Sequence, residues 1–484
     1  MTERVSKNIF WLTFSRAIAL ALLFLAYTQL FRYLGPFGSG QYQFVLSYVL
    51  IFSTIVDFGV QQFITKKMAE DPENTKKYFQ NFLVFEALLS ILLYVVLISI
   101  AFFRQFDPLI IKAISITGLG MMANAMTYPF LAVMTAKQDL KKVALINFIN
   151  SCVNISIIFL AIALQKYIVF LASIQLTFGL IDLALYRVFI RKHIPVPEVF
   201  KALGRFEFSI IKNILKSAWP FALLVGFSAI YNRIDVIIIS RMLDYTQTGL
   251  YTAAYKFFDI LNFFPASVSH VLFPVLAALM AKQLISDVKL TLEKYLKLMI
   301  AIALPVAVGG TLLSKQLILL IAGPEFLPAA PVLAILIWSV AILFIYIPMN
   351  SLIISQLTKF AVMITAVNVA VNIAGNIILL PIIGIKAAAI MTVVSESLQG
   401  LFYFYFVWKN ITHFKFLSIL WKPVLAAAVM GLALWKLSGL NVLVLIAIGA
   451  FIYAVMLTIT RFISKGELGL VLNFFKPDPP ISHT

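Results

Sequence analysis

Apolar runs of about 20 residues follow one another from end to end of this chain, separated by short polar segments. Each run is long enough to cross about 30 Å of hydrocarbon as a helix. A buried soluble helix explains one such run, but not a dozen in series. Composition agrees: 62% of the 484 residues are hydrophobic and 12% charged, against about half and about a quarter in soluble domains. The chain reads as an all-α polytopic protein of the lipid bilayer.

The spacing predicts fourteen helices, at 8–30, 42–65, 80–103, 109–136, 143–164, 167–190, 217–240, 248–280, 295–321, 328–355, 360–381, 385–408, 417–437 and 440–463. The eighth and tenth are long enough to tilt or kink, with Pro265, Pro274 and Pro348 as places to do so. The first run follows Glu3, Arg4 and Lys7, is too long for a signal-peptide core and has no small-residue cleavage site after it, so it reads as an uncleaved span.

Basic residues give the orientation. Of 38 Lys and Arg, 27 fall at one set of ends and loops, 8 at the other, and Arg16, Arg233 and Lys256 inside helices. Lysine and arginine concentrate in cytoplasmic loops, so both termini are expected in the cytoplasm, which an even helix count also requires. The net charge of +18 is therefore a topology signal, dispersed over short loops, rather than a nucleic-acid surface. Cys152 is the single cysteine and excludes an internal disulfide. The four histidines are scattered, no Gly-Lys-Ser/Thr phosphate loop is present, and every loop on the far side is short. These features argue against a metal centre, nucleotide hydrolysis, a bound cofactor and an enzyme generally.

The chain also repeats itself. Arg32-Tyr-Leu-Gly-Pro-Phe-Gly-Ser-Gly40-Gln-Tyr42 and Arg241-Met-Leu-Asp-Tyr-Thr-Gln-Thr-Gly249-Leu-Tyr251 share Arg, Leu, Gly and Tyr without a gap. Asn147, Asn150 and Asn154 of the fifth helix answer Asn368, Asn372 and Asn376 of the eleventh, each set lying along one helix face. An offset of 222 superposes Asn150 on Asn372 and Asn154 on Asn376. The expected organisation is a six-helix lobe at 1–192, a basic cytoplasmic linker at 193–216, a second six-helix lobe at 217–410, and helices thirteen and fourteen with a tail at 411–484. Six helices per half point both lobes the same way, about an axis along the membrane normal. The asparagines either hydrogen-bond neighbouring helices or line a wet cavity between lobes.

Arg233-Ile-Asp235-Val-Ile-Ile-Ile-Ser-Arg241-Met-Leu-Asp244, Gly249-Leu-Tyr251-Thr-Ala-Ala-Tyr255 and Leu272-Phe-Pro274 resemble the second half of Wzx-like polysaccharide flippases. These belong to the multidrug/oligosaccharidyl-lipid/polysaccharide exporter superfamily. Asp57-Phe-Gly59, and the stretch Asn372 to Asn376 followed by Leu380-Pro381-Ile-Ile-Gly384-Ile-Lys-Ala-Ala388, resemble the matching parts of that family. The resemblance implies two six-helix lobes around a central cavity that opens to one leaflet at a time. It implies a substrate, a polyprenyl-diphosphate-linked oligosaccharide, flipped across a bacterial inner membrane for O-antigen, capsule or similar polymers. A polymerase and chain-length proteins of the same pathway would be partners. A cation-coupled multidrug exporter and a peptidoglycan lipid-precursor flippase of the same superfamily stay open as alternatives.

A charge at the centre of a membrane helix costs about 2.5–3.5 kcal/mol on insertion scales, so each one present needs a reason. Cations around a wet cavity would receive the diphosphate: Arg16, Arg233 and Lys256 are the candidates, arginine suiting bidentate phosphate contacts. Asp57, Asp235 and Asp259 either couple transport to H+ or Na+ or pair with those cations. Lys256 and Asp259, three apart, can meet on one face; Arg233 and Asp235, two apart, cannot. Asp182 and Glu396 are further carboxylates inside helices, and Tyr42, Tyr251 and Trp219 are candidate interfacial anchors or sugar platforms.

Overall fold

Where no water reaches the backbone, its hydrogen bonds must close within each segment, and the apolar runs accordingly become helices. A computed structural model describes residues 2–57, 59–192, 194, 207–356, 358–414 and 416–462. Side chains are described from residue 23 onward, apart from 57, 213–214, 217–218, 220–221, 270, 355–356 and 358. The first unit's helices are α1 (Thr2–Asp57), α2 (Val60–Glu70), α3 (Thr75–Phe103), α4 (Pro108–Ala125), α5 (Tyr128–Ala136), α6 (Leu140–Ala163) and α7 (Ile168–Ile190). Then come α8 (Phe208–Met242), α9 (Tyr245–Leu261), α10 (Phe263–Ala281), α11 (Ile285–Leu312), α12 (Ser314–Ile321) and a 3-10 turn (Pro324–Ala329). The chain continues through α13 (Ala330–Gln356), α14 (Thr358–Ile383), α15 (Lys386–Asn410), α16 (Phe416–Lys436) and α17 (Val442–Ile459). No strand occurs among the described residues.

Thirteen described stretches are long and apolar enough to cross a membrane, against fourteen expected. The difference lies at the N-terminus, where the first two expected spans join in the 56-residue helix α1. Straight, it would reach about 84 Å, nearly three hydrocarbon thicknesses. It is interrupted at Gly35, whose φ of 63° and ψ of −179° leave the helical region just before Pro36; glycine takes that conformation at little cost and proline has no N–H to continue the ladder. On one side of the break, Tyr33 stacks on Tyr167 and donates to the Lys166 carbonyl at 3.3 Å. On the other, Phe44 meets Phe106 edge-on and Tyr48 donates to the Leu97 carbonyl at 2.7 Å. The loops after α3 and after α6 lie at the same membrane face, because one complete crossing back and one out separate them. Both sides of Gly35 therefore approach one face, and the two legs fold back on each other. This restores the fourteenth crossing.

A second difference concerns the linker expected at 193–216. Its last nine residues are already helix, the start of α8. Polarity there marks an amphipathic surface rather than a loop: Lys212 and Lys216 are exposed while Ile211 is fully buried. Ile190, Ile194 and Ile211 join one apolar cluster with Val60, Ile64, Phe79 and Phe130. The Glu207 N–H donates to Asn81 Oδ1 at 2.6 Å, and Lys77 Nζ lies 2.8 Å from Glu207 Oε1. Both described ends of the linker are thus fastened to the first six-helix group.

Five helices end alike. Gln105, Gln138, Gln165, Gln283 and Arg461 take φ of 51°, 56°, 51°, 56° and 49° just beyond α3, α5, α6, α10 and α17. The next N–H reaches back five residues, as in Phe106 to Ala101, Asp139 to Met134 and Leu284 to Leu279. This closure satisfies carbonyls that would otherwise end unpaired near the membrane.

Packing divides the chain into two compact units, residues 1–237 and 238–479, with the seam inside α8. In the first, α4 and α7 approach until a Cβ placed on Gly179 would lie 2.4 Å from Ala123 Cβ and 2.9 Å from the Asn124 nitrogen. In the second, α16 and α17 pack on α11 through Ala427, Met430 and Leu445 against Ile300 and Leu304. Outer faces stay apolar: Leu88, Ile91, Leu92, Val95 and Phe102 recur at helical spacing on α3, all exposed. Such a stripe is untenable in water and expected against lipid.

Candidate functional site

Within the first unit, the polar residues of α6 descend from surface to interior. Asn147 is exposed, Asn150 half-buried and Asn154 only 8% exposed. Asn150 Nδ2 donates to Asp182 Oδ1 on α7 at 2.5 Å, and the buried Tyr186 follows Asp182 by one turn. On α8, Arg233 is half-buried and Asp235 is 4% exposed. Their spacing of two sends them to different faces, and both take part in further interactions. The side chains of Arg16, on α1, and of Asp57, at its end, lie outside the described residues.

In the second unit, α9 brings Lys256 Nζ to 3.5 Å from Asp259 Oδ2, with both side chains largely shielded. The pairing expected from their spacing forms, so Lys256 offers a partly neutralised cation. On α14, Asn368, Asn372 and Asn376 are at most 1% exposed. They pack inside the unit, where each side chain makes a hydrogen bond. Asn368 Nδ2 donates to Gln399 Oε1 at 2.8 Å, and Asn376 Nδ2 to Asn372 Oδ1 at 3.0 Å. Nearby on α15, the buried Glu396 accepts from Tyr346 Oη at 2.5 Å, and Gln399 Nε2 donates to Tyr403 Oη at 3.4 Å. Two of these bonds cross between helices, Asn368–Gln399 and Tyr346–Glu396, the neutral one contributing about 0.6 kcal/mol; together they hold α14 and α13 in register with α15.

The asparagine stripes align one turn away from the offset of 222. Helix α6 begins at 140 and α14 at 358, α7 at 168 and α15 at 386, so the helices repeat at 218. At that offset Asn150 meets Asn368 and Asn154 meets Asn372, while at 217 Asp182 meets Gln399 and Tyr186 meets Tyr403. Both units thus contain an asparagine donating to an acceptor on the next helix, one turn before a buried tyrosine. A slip of four residues keeps every side chain on nearly the same face, and so leaves no trace in a stripe of asparagines. Gln399, Tyr346 and Tyr403 carry no charge and escaped notice; the pair spacing Asp182–Tyr186 and Gln399–Tyr403 was the signal available.

The loop repeat has matching environments. Arg32 and Arg241 are exposed, Gly40 and Gly249 buried, and Tyr42 and Tyr251 almost fully buried. The two tyrosines are therefore core residues, not sugar platforms; Trp219 is exposed, as an interfacial anchor would be. No group of three or more His, Cys, Asp or Glu is gathered for a metal among the described residues.

The arrangement of helices is that of known transporters. A structure of the lipid II flippase MurJ in an inward closed conformation aligns with 90% of this chain and 98% of its own, with a TM-score of 0.67 at 17% identity. An inward-facing multidrug resistance MATE family transporter of the MOP superfamily aligns with 82% and 94%, with a TM-score of 0.66 at 14% identity. In sequence, a probable low-salt glycan biosynthesis flippase of Haloferax volcanii is 24% identical over 225 residues, 46% of this chain and 48% of that protein. The chain spans about half the length of the curated relatives it matches. Residues 5–280, more than half of the chain, match the family model described as polysaccharide biosynthesis protein, and the chain belongs to that family.

Proposed function

We propose that this protein is a flippase, not an enzyme, that moves a polyprenyl-diphosphate-linked oligosaccharide from the cytoplasmic to the outer leaflet of a cell membrane. The observation that carries the reading is Arg233, a half-buried arginine in a membrane helix of a polysaccharide-biosynthesis chain. An anionic headgroup crossing hydrocarbon needs cationic side chains on its route, and arginine supplies paired donors to phosphate.

In this reading Arg233 and Arg16 receive the diphosphate, with Lys256 tempered by Asp259. Asp57 and Asp235 couple the cycle to H+ or Na+ or balance the arginines. Asn147 and Asn150 contact sugar hydroxyls or water. The two six-helix lobes alternate access, the polyprenyl tail stays in lipid, and both termini are cytoplasmic. The repeated burial of Tyr42 and Tyr251, and the repeated asparagine–acceptor–tyrosine groups, support related lobes. O-antigen, capsule or another envelope glycan is the destination, with a polymerase and chain-length proteins acting next.

The test is substrate choice in proteoliposomes holding the purified chain. A polyprenyl-diphosphate oligosaccharide should become accessible to an impermeant probe across the bilayer. Immobility of that lipid, together with gradient-driven efflux of an organic cation, would replace the proposal with drug export.

A further inference from the structure

The start of α8 is divided lengthwise. At 3.6 residues per turn, Phe208, Lys212, Lys216 and Trp219 fall within about 80° of one another, and all four are exposed. Ile211, Leu215 and Ala222 take the adjoining sector. Ile211 and Ala222 are at most 2% exposed, and Ile211 and Leu215 pack into one apolar cluster with Ile190 and Ile194 at the end of α7. Arg191 and Lys192, both exposed, therefore border the same cluster. Connectivity sets the depth of this face. The apolar span of α8 begins at Ala222, within a turn of Trp219. At the other end, the Glu207 N–H is held by Asn81, less than two turns into α3 from Thr75. The exposed face thus lies at the headgroup level of one leaflet, where tryptophan collects. In the proposed orientation that leaflet is the cytoplasmic one.

The charges of this face are not answered by the protein. At other helix ends of the same unit, lysines meet carboxylates: Lys66 and Lys67 meet Glu70, Lys77 meets Glu207, and Lys142 meets Asp139. No described carboxylate pairs with Arg191, Lys192, Lys212 or Lys216. Glu207, the acid next to this face, is engaged by Lys77. In the second unit, α11 intersperses Lys289 and Lys294 with Asp287 and Glu293. The bias of Lys and Arg toward one side of a membrane acts whether or not each is paired. It accounts for the lysines of α8, but not for their lack of acidic neighbours or for the aromatic residue at each end of the stripe.

We infer that this face of α8, with Arg191 and Lys192, binds the headgroup of an anionic phospholipid. Four or more Lys and Arg beside a membrane span, or on an amphipathic helix at its surface, draw anionic lipids. The ammonium and guanidinium groups donate to phosphate oxygens, while Phe208 and Trp219 offer apolar surface to the glycerol and the upper acyl chains. An acidic protein in solution would complement the charges but not the aromatic residues or the headgroup depth. Helix α8 is continuous from Phe208 to Arg233. A lipid held at its start therefore steadies the helix that, on the flippase reading, receives the diphosphate. The binding itself stands whatever the transported substrate.

The experiment titrates phosphatidylglycerol, or phosphatidylcholine with the same acyl chains, into the purified full-length chain in a non-ionic detergent and follows the melting midpoint. Phosphatidylglycerol should raise the midpoint saturably and phosphatidylcholine should not, and the difference should shrink in high salt. Lys212→Gln combined with Lys216→Gln should weaken the apparent affinity for phosphatidylglycerol about tenfold or more. Lys289→Gln combined with Lys294→Gln, the same loss of charge at exposed positions of α11, should leave it unchanged. Monodisperse elution shows that the variants fold; if the α8 pair does not, Arg191→Gln combined with Lys192→Gln decides. Equal responses to the two lipids, equal weakening by the two lysine pairs, or an undiminished affinity in the α8 pair would overturn the assignment. So would inorganic phosphate that reproduces the whole effect, which would make this a site for free anions. Since no transported substrate enters the assay, its failure leaves the flippase proposal standing, and failure of flipping leaves this result intact.

Discussion

Replacing Gly179 by alanine should loosen the first unit, whereas the same replacement at Gly226 should tighten it. Helix propensity favours alanine over glycine by about 1 kcal/mol at either site. At Gly179 the new Cβ would stand 2.4 Å from Ala123 Cβ, 2.9 Å from the Asn124 nitrogen and 3.0 Å from the Ala123 carbonyl carbon. Ordinary carbon contacts need about 3.5–4.0 Å, so α4 and α7 must part by more than 1 Å. The atoms in the way include backbone, which cannot rotate aside. Overpacking of this kind costs about 1–3 kcal/mol, and the rigidity of both partners places Gly179→Ala at the upper end. Net of propensity, the loss is about 2 kcal/mol. Gly226, on α8, has nothing within 4 Å of its would-be Cβ and keeps the gain. For a unit of this size 1 kcal/mol moves the midpoint by about 2–4 °C. Fluorescence-detected size exclusion after a heat ramp should therefore place Gly179→Ala roughly 4–8 °C below wild type and Gly226→Ala a few degrees above. Equal melting of Gly179→Ala and wild type would mean that the α4–α7 approach is not as close as described.

Other substitutions read other parts of the structure. Gln138→Gly and Gln283→Gly relieve a left-handed residue at a helix end and should each stabilise by about 1 kcal/mol, seen as a raised melting point. Removing Lys256 and Asp259 singly and together should yield a coupling of no more than about 1 kcal/mol in a double-mutant cycle of stability, because the pair is partly solvated. Tyr346→Phe deletes the hydroxyl that donates to the buried Glu396 and should cost about 1.5–3 kcal/mol by the same melting assay; Phe at Tyr405, whose side chain is exposed, should be near neutral.

What could be read from the sequence divides along physical lines. Membrane helices announce themselves because length and apolarity alone satisfy the bilayer, and the lysine bias follows from the same solvent. The hairpin at Gly35–Pro36 was legible as a break between two runs, though the helix carries almost up to it on both sides. The start of α8 was not legible, since Lys212 and Lys216 made an amphipathic turn look like a loop. Lys256–Asp259 was readable because helix geometry fixes neighbours three apart. Asn150–Asp182 and Glu396–Tyr346 join residues 32 and 50 positions apart, and spacing on one helix says nothing about which residue of the next will face it. The one-turn error in the repeat arose for the same reason: a helix face records phase but not height.

The central claim is that an arginine inside the membrane serves an anionic headgroup. Its most direct measurement is the initial flipping rate of a polyprenyl-diphosphate oligosaccharide in proteoliposomes containing wild type, Arg233→Lys or Arg233→Ala, at matched reconstitution and unchanged melting point. Loss of a charged hydrogen-bonding group worth about 1.5–3 kcal/mol should slow Arg233→Ala by about tenfold or more, with Arg233→Lys in between because it keeps the charge without the paired donors. Equal rates for all three would contradict the account and return Arg233 to a structural role.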